Sequence, residues 1–144
     1  MYDILKQTHY VLMILLLVLL LFTIFRFAVN ANQKKPFGAF EDKQSLAVLI
    51  LTHIQLLIGL ILLFSGPWAS YFSQMGEVMG NSDLRFKVVE HPTTMILAVV
   101  AVTIGRARGK RQPNDAAKFK QIALFYGIGL LLMVIRIPWS TMGN

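Results

Sequence analysis

The sequence predicts an all-α integral membrane protein, a single four-transmembrane-helix bundle over residues 1–144, and three observations carry that prediction. Of the 144 residues, 56% are hydrophobic and 15% charged, against roughly 45–50% and 25% in soluble domains. The apolar residues fall into four blocks instead of spreading along the chain, the pattern of membrane spans. Ten of the fourteen Lys and Arg lie in two short segments between alternate blocks, where the positive-inside rule places cytoplasmic loops. The net charge of +7 would raise nucleic-acid binding in a soluble protein; here the basic loops account for it. No nucleic-acid partner is expected, and the lipid bilayer is the first partner. Cysteine is absent, which excludes disulfides, thiolate metal sites, iron–sulfur clusters and covalently attached c-type haem.

The first span is expected at about 8–29, built on YVLMILLLVLLLFTIF and continuing past Arg26 to Val29. At 1.5 Å per residue it crosses roughly 30 Å of hydrocarbon. Val29, Asn30 and Ala31 loosely resemble a signal-peptide cleavage site, but the apolar core is too long and only Lys6 precedes it, so an uncleaved span is expected. The second span, about 46–64, has Ser45 placed as its cap, Gly66-Pro67 as its stop, and His53 and Gln55 within it. The third apolar run, 93–105, is too short alone. A helix capped at Ser82 or Asp83 and spanning about 84–106 is long enough, and it carries Glu90, His91 and a kinking Pro92. The fourth, about 119–138, follows an Asn114-Asp115 cap and ends at Pro138-Trp139. Four spans with cytoplasmic basic segments at 26–43 and 106–120 put both termini on the outer, periplasmic side. The connection 65–81, with Trp68, Tyr71 and Phe72, is then an outer loop whose aromatics lie at the interface.

All three histidines fall in or beside a span, and an ionisable group in a membrane is costly enough to suggest a function. A helical count sets His9 about 25 Å and His91 about 22 Å above the cytoplasmic boundary, with His53 at about 13 Å. Two neutral imidazoles from different helices are what a low-spin, electron-carrying haem b uses, because both axial positions are filled. His9 with His91 is the favoured metal-ligating pair, and His53 with His91 the reserve pair, since tilt and the Pro92 kink change heights. Arg136 is the expected propionate partner; Arg85 and Lys87 fit snorkelling to head groups better. On the third span Glu90, Thr94, Ala98, Ala101 and Gly105 share an arc of about 80°, which suits either close helix packing or a haem slot. His53 is equally well read as a core histidine bonded to backbone or Gln55. Serine-nucleophile motifs, phosphate-binding glycine loops and paired intramembrane carboxylates are absent, so no hydrolase or transferase is expected and no catalytic residue is assigned.

The stretches MYDILKQTHYVLM, LTHIQLLIGLILLF, and VEHPTTMILAVVAVTIGRARGKR running into DAAKFKQIALFYGIGLLL together resemble a group of small bacterial four-helix membrane proteins catalogued as cytochrome B-like. The resemblance covers nearly the whole chain. It implies a four-helix bundle with His9, His53 and His91 standing where that group carries its histidines. The expectation is a multi-pass protein of a bacterial inner membrane that binds haem b and carries electrons, alone or as a small subunit of a redox complex. The competing expectation is a non-catalytic accessory subunit packed against a larger membrane assembly. A quinone is left open. The topology has a direct check: a single cysteine introduced within 106–120 should react with a membrane-impermeant reagent only from the cytoplasmic side, and labelling from the outer face would overturn the orientation.

Overall fold

The computed structural model describes residues 1–141. Its four long helices are α1 (Tyr2–Asn32), α2 (Ala39–Ser65), α3 (Ser82–Gly109) and α4 (Asp115–Ile135), each long and apolar enough to cross a membrane. Among the described residues there is no strand. The α2–α3 connection holds a 3₁₀ turn, Ala69–Ser73, and a short helix, Met75–Gly80. Helix α1 packs against α2 and α4, and α3 against the same two, so α1 and α3 stand across the diagonal of the bundle.

The helices extend beyond the apolar blocks because a helix ends where its caps are, not where the hydrocarbon does. Helix α1 ends at Asn32, and two residues on Lys34 takes a left-handed φ of 53°. The Lys35 N–H then reaches back to the Asn30 carbonyl at 3.0 Å, the wide closing bond of a Schellman-type stop. Helix α2 starts at Ala39, with the Gly38 N–H donating to Glu41 Oε1 at 3.3 Å. The cap expected at Ser45 is therefore corrected, since Ser45 is helical and fully buried. On α3 the cap is Asn81, whose side chain accepts the Asp83 and Leu84 N–H groups, and not Ser82 or Asp83. Asn114 caps α4 as expected, accepting the Ala117 N–H at 2.9 Å.

Helices α3 and α4 form the closest crossing. A methyl on Gly105 would overlap the Cβ of Phe125, and one on Gly109 would overlap Ile122. A Cβ on Gly129 would stand 3.0 Å from Val102 Cγ2 and 3.2 Å from the Ala98 carbonyl oxygen. Small residues are what let two helices approach in lipid. The small-sided arc of α3 is thus occupied by α4 at Ala98 and Gly105. Buried apolar side chains, among them Leu20, Phe27, Val48, Val102 and Ile122, fill the interior. Val18, Leu21, Phe22 and Phe25 of α1 point outward, as lipid-facing side chains do.

One end of the bundle holds a polar knot. Gln44 Nε2 donates to Thr23 Oγ1 at 3.0 Å, and Gln44 Oε1 accepts from Arg26 at 2.7 Å. Beside it, the Ser45 carbonyl accepts the Tyr126 hydroxyl at 2.7 Å, and Ser45 Oγ accepts Arg106 Nε at 3.1 Å. Asp42 pairs with Arg106 at 2.7 Å and with Lys110 at 3.0 Å. Next to the knot, Phe27 and Phe119 meet edge-on with centroids 5.0 Å apart, and Phe37 closes the cluster.

The glycine contacts give a paired test. Gly105→Ala forces Phe125 and the α3–α4 spacing to move and should cost about 1–3 kcal/mol. Gly127→Ala meets nothing within 4 Å and should be neutral or stabilising by up to about 1 kcal/mol. Unfolding of the two variants in detergent measures the contrast.

Candidate functional site

The histidine end lies opposite the knot, where α1 and α3 begin and α2 and α4 finish. His9 on α1 is brought against α2 by a glycine: a Cβ at Gly59 would stand 3.1 Å from His9 Cε1. A larger residue there would push the imidazole away. Gln55, one turn earlier on α2, donates from Nε2 to the His9 carbonyl at 2.7 Å, a bond from α2 to the backbone of α1. Two buried polar atoms are left over: His9 Nδ1 and Gln55 Oε1 have no hydrogen-bond partner among the described residues. Such groups cost about 1–3 kcal/mol each unless something completes them.

His91 enters from across the diagonal. The turn before it is a π-helix, Phe86–Glu90, and the His91 N–H reaches the Phe86 carbonyl instead of the nearer one of an α-helix. The extra residue in that turn absorbs the break that Pro92 imposes, because proline offers no N–H to the preceding carbonyls. It also resets the direction of His91 relative to an uninterrupted helix. His91 Nδ1 lies 2.6 Å from the carbonyl oxygen of Arg136, the residue that ends α4. A carbonyl only accepts, so Nδ1 is the protonated nitrogen and Nε2 keeps its lone pair. A backbone carbonyl holding the far nitrogen is how proteins commonly orient a metal-ligating imidazole.

Charges flank this site. Glu90 accepts from Arg85 Nε at 3.2 Å and stands 3.7 Å from Arg136 Nε. The Arg136 guanidinium also sits over the Phe86 ring, 6.0 Å from its centroid, and Lys87 sits over Trp68 at 5.1 Å. Arg136 stands beside His91, as its place at the outer end of the fourth span predicts, and it is the backbone carbonyl that bonds the imidazole while Glu90 links the two arginines. Neither detail is visible in spacing or composition.

His53 stands apart from the other two. It is exposed, and its Nδ1 bonds the Leu49 carbonyl of its own helix at 2.7 Å. On the same helix Thr52 is buried and Gly59 lies under His9, while His53 points outward. Gln55 is the polar residue of α2 that reaches into the site. Among the described residues no three His, Asp or Glu side chains converge as a metal-ligand cluster; the site offers a pair of imidazoles. No family model, curated protein or solved structure matches the chain.

Glu90 is half-exposed and its ion pairs are long, so Glu90→Gln should change stability by less than about 1 kcal/mol. A larger loss on unfolding would show that the Arg85–Glu90–Arg136 chain holds α3 to α4.

Proposed function

We propose that this chain is a b-type haem protein of a bacterial inner membrane with both termini outside, an electron carrier or small subunit of a redox complex. The observation that supports it most is the His91 imidazole, tied through Nδ1 to the Arg136 carbonyl with Nε2 left as a lone-pair donor. Facing it across the bundle diagonal is His9, whose ring has a buried nitrogen without a partner. Those residues fit a haem: His9 and His91 would hold the iron and Arg136 a propionate. A haem so held would supply one-electron transfer.

The chain's own part is positional. The Arg136 carbonyl fixes the tautomer and ring plane of His91. Gly59 admits His9 against α2, and Gln55 bonds its carbonyl. Glu90 holds the Arg136 side chain at the edge of the site, where a propionate would compete with it for the guanidinium. The small-residue crossing of α3 and α4 keeps Arg136 beside His91. A second reading, an accessory subunit of a larger assembly, rests on His53. Its Nε2 faces outward from mid-helix, where a donor from a neighbouring subunit would complete it.

The reduced-minus-oxidised absorption spectrum of the purified protein, supplied with haem, separates the readings. The wild type should give a low-spin b-type spectrum, His91→Ala and His9→Ala should abolish it, and His53→Ala should keep it. Loss in His53→Ala with retention in His9→Ala would identify His53 and His91 as the pair. A full low-spin spectrum in His91→Ala, or no haem binding by the wild type, would overturn the cytochrome reading and leave the accessory-subunit reading in its place.

A further inference from the structure

At the knot end, charge is distributed unevenly between interior and surface. Of the ten Lys and Arg in 26–43 and 106–120, four are ion-paired: Arg26 with Glu41, Arg106 and Lys110 with Asp42, and Lys118 with Asp115. The other six, Lys34, Lys35, Lys43, Arg108, Arg111 and Lys120, are exposed and have no acidic partner among the described residues. Two of these six line a cleft. It has a volume of about 460 Å³ and lies between Lys34, Lys35 and Pro36 on one side and Asn114, Asp115 and Ala116 on the other.

The acid in that cleft is already engaged. Asp115 Oδ2 accepts the Phe37 N–H at 3.1 Å, and its Oδ1 lies 3.7 Å from Lys118 Nζ. The net charge presented to a ligand is therefore that of Lys34 and Lys35. The backbone holds those two lysines in place: the left-handed Lys34 and the bond from the Lys35 N–H to the Asn30 carbonyl fix the turn that carries them.

Depth identifies the ligand. Lys120 is exposed and is the last cation before the apolar run of α4, so the hydrocarbon begins just past it. Asp115, five residues earlier, lies about 7.5 Å farther out along the helix, which puts the cleft beside it in the headgroup layer. A pair of unneutralised ammonium groups at that depth suits a phosphate monoanion, which each lysine contacts as a point charge. We propose that the cleft between the 34–36 turn and residues 114–116 binds the headgroup of an anionic phospholipid. The proposal is independent of the haem reading, since none of its residues lies at the histidine end.

Native mass spectrometry of the full chain released from phosphatidylcholine nanodiscs doped with phosphatidylglycerol tests it. The wild type should retain phosphatidylglycerol in preference to phosphatidylcholine. K34Q/K35Q should lower that retention on the order of tenfold. R108Q/R111Q, which removes the same charge from outside the cleft, should leave it unchanged. K35Q alone keeps the left-handed Lys34 turn intact and should lower retention about threefold, so the comparison survives if the double variant fails to fold. Equal loss in the two double variants would mean diffuse attraction and overturn the site, as would a wild type without preference. Displacement of the lipid by millimolar inorganic phosphate would make free phosphate the ligand and overturn the lipid assignment.

Discussion

In a hydrocarbon solvent a polar side chain must find its partner inside the protein, and at the knot end two adjacent residues of α2 meet that requirement for all four helices. Gln44 bonds Thr23 and Arg26 of α1, while Ser45 bonds Arg106 of α3 and Tyr126 of α4. Neighbouring helical residues point about 100° apart, so consecutive positions can serve opposite flanks of one helix. Leu and Phe contacts in lipid specify little about register, because lipid tails are as apolar as the side chains. The directional bonds at 44 and 45 do specify it. Each helix is fixed at one height and one rotation against α2, and the apolar core fills in around that register.

The register carries to the other end. From Arg106 to His91 helix α3 covers about 22 Å, and from Tyr126 to Arg136 helix α4 covers about 15 Å. Both rotations are then held by glycine contacts at 105, 109 and 129, where a shift of one residue would bring side chain against backbone. This delivers the Arg136 carbonyl to within 2.6 Å of His91 Nδ1. The π turn before Pro92 is the compliant part: it lets His91 meet that carbonyl without disturbing the crossing below.

The number of helices, their order and the basic loops were legible because hydropathy and charge are properties of segments, and a 19-residue stretch reports them without knowing its neighbours. What pointed where was less legible. Ser45 has the chemistry of a cap and a position just ahead of the apolar run, yet the helix begins at Ala39, since polar residues such as Glu41 and Asp42 can be helical outside the hydrocarbon. Arg106 reads as a loop cation by composition, but it lies in α3 and reaches Asp42 and Ser45. At the histidine end, sequence spacing puts His9 and His91 at one level but does not reveal the bond from His91 Nδ1 to the Arg136 carbonyl, because that depends on where α4 ends. The direction of His53 was not recoverable, because a histidine that bonds the Leu49 carbonyl of its own helix is as well satisfied facing outward as facing the interior. Gln55 was visible as a polar residue in a span, but its bond to the His9 carbonyl depends on the α1–α2 register, which the distant residues 44 and 45 impose.

The two ends of the bundle therefore differ in how completely their polar groups are satisfied. At the knot, the buried Thr23, Gln44, Ser45 and Tyr126 all have partners. At the histidine end, a ring nitrogen of His9 and the amide oxygen of Gln55 have none among the described residues. A membrane helix can replace a histidine or glutamine with leucine at a gain in stability. Each unmet group costs about 1–3 kcal/mol, and the directional bonds of Gln44 and Ser45 at the far end hold the register of the bundle against that cost.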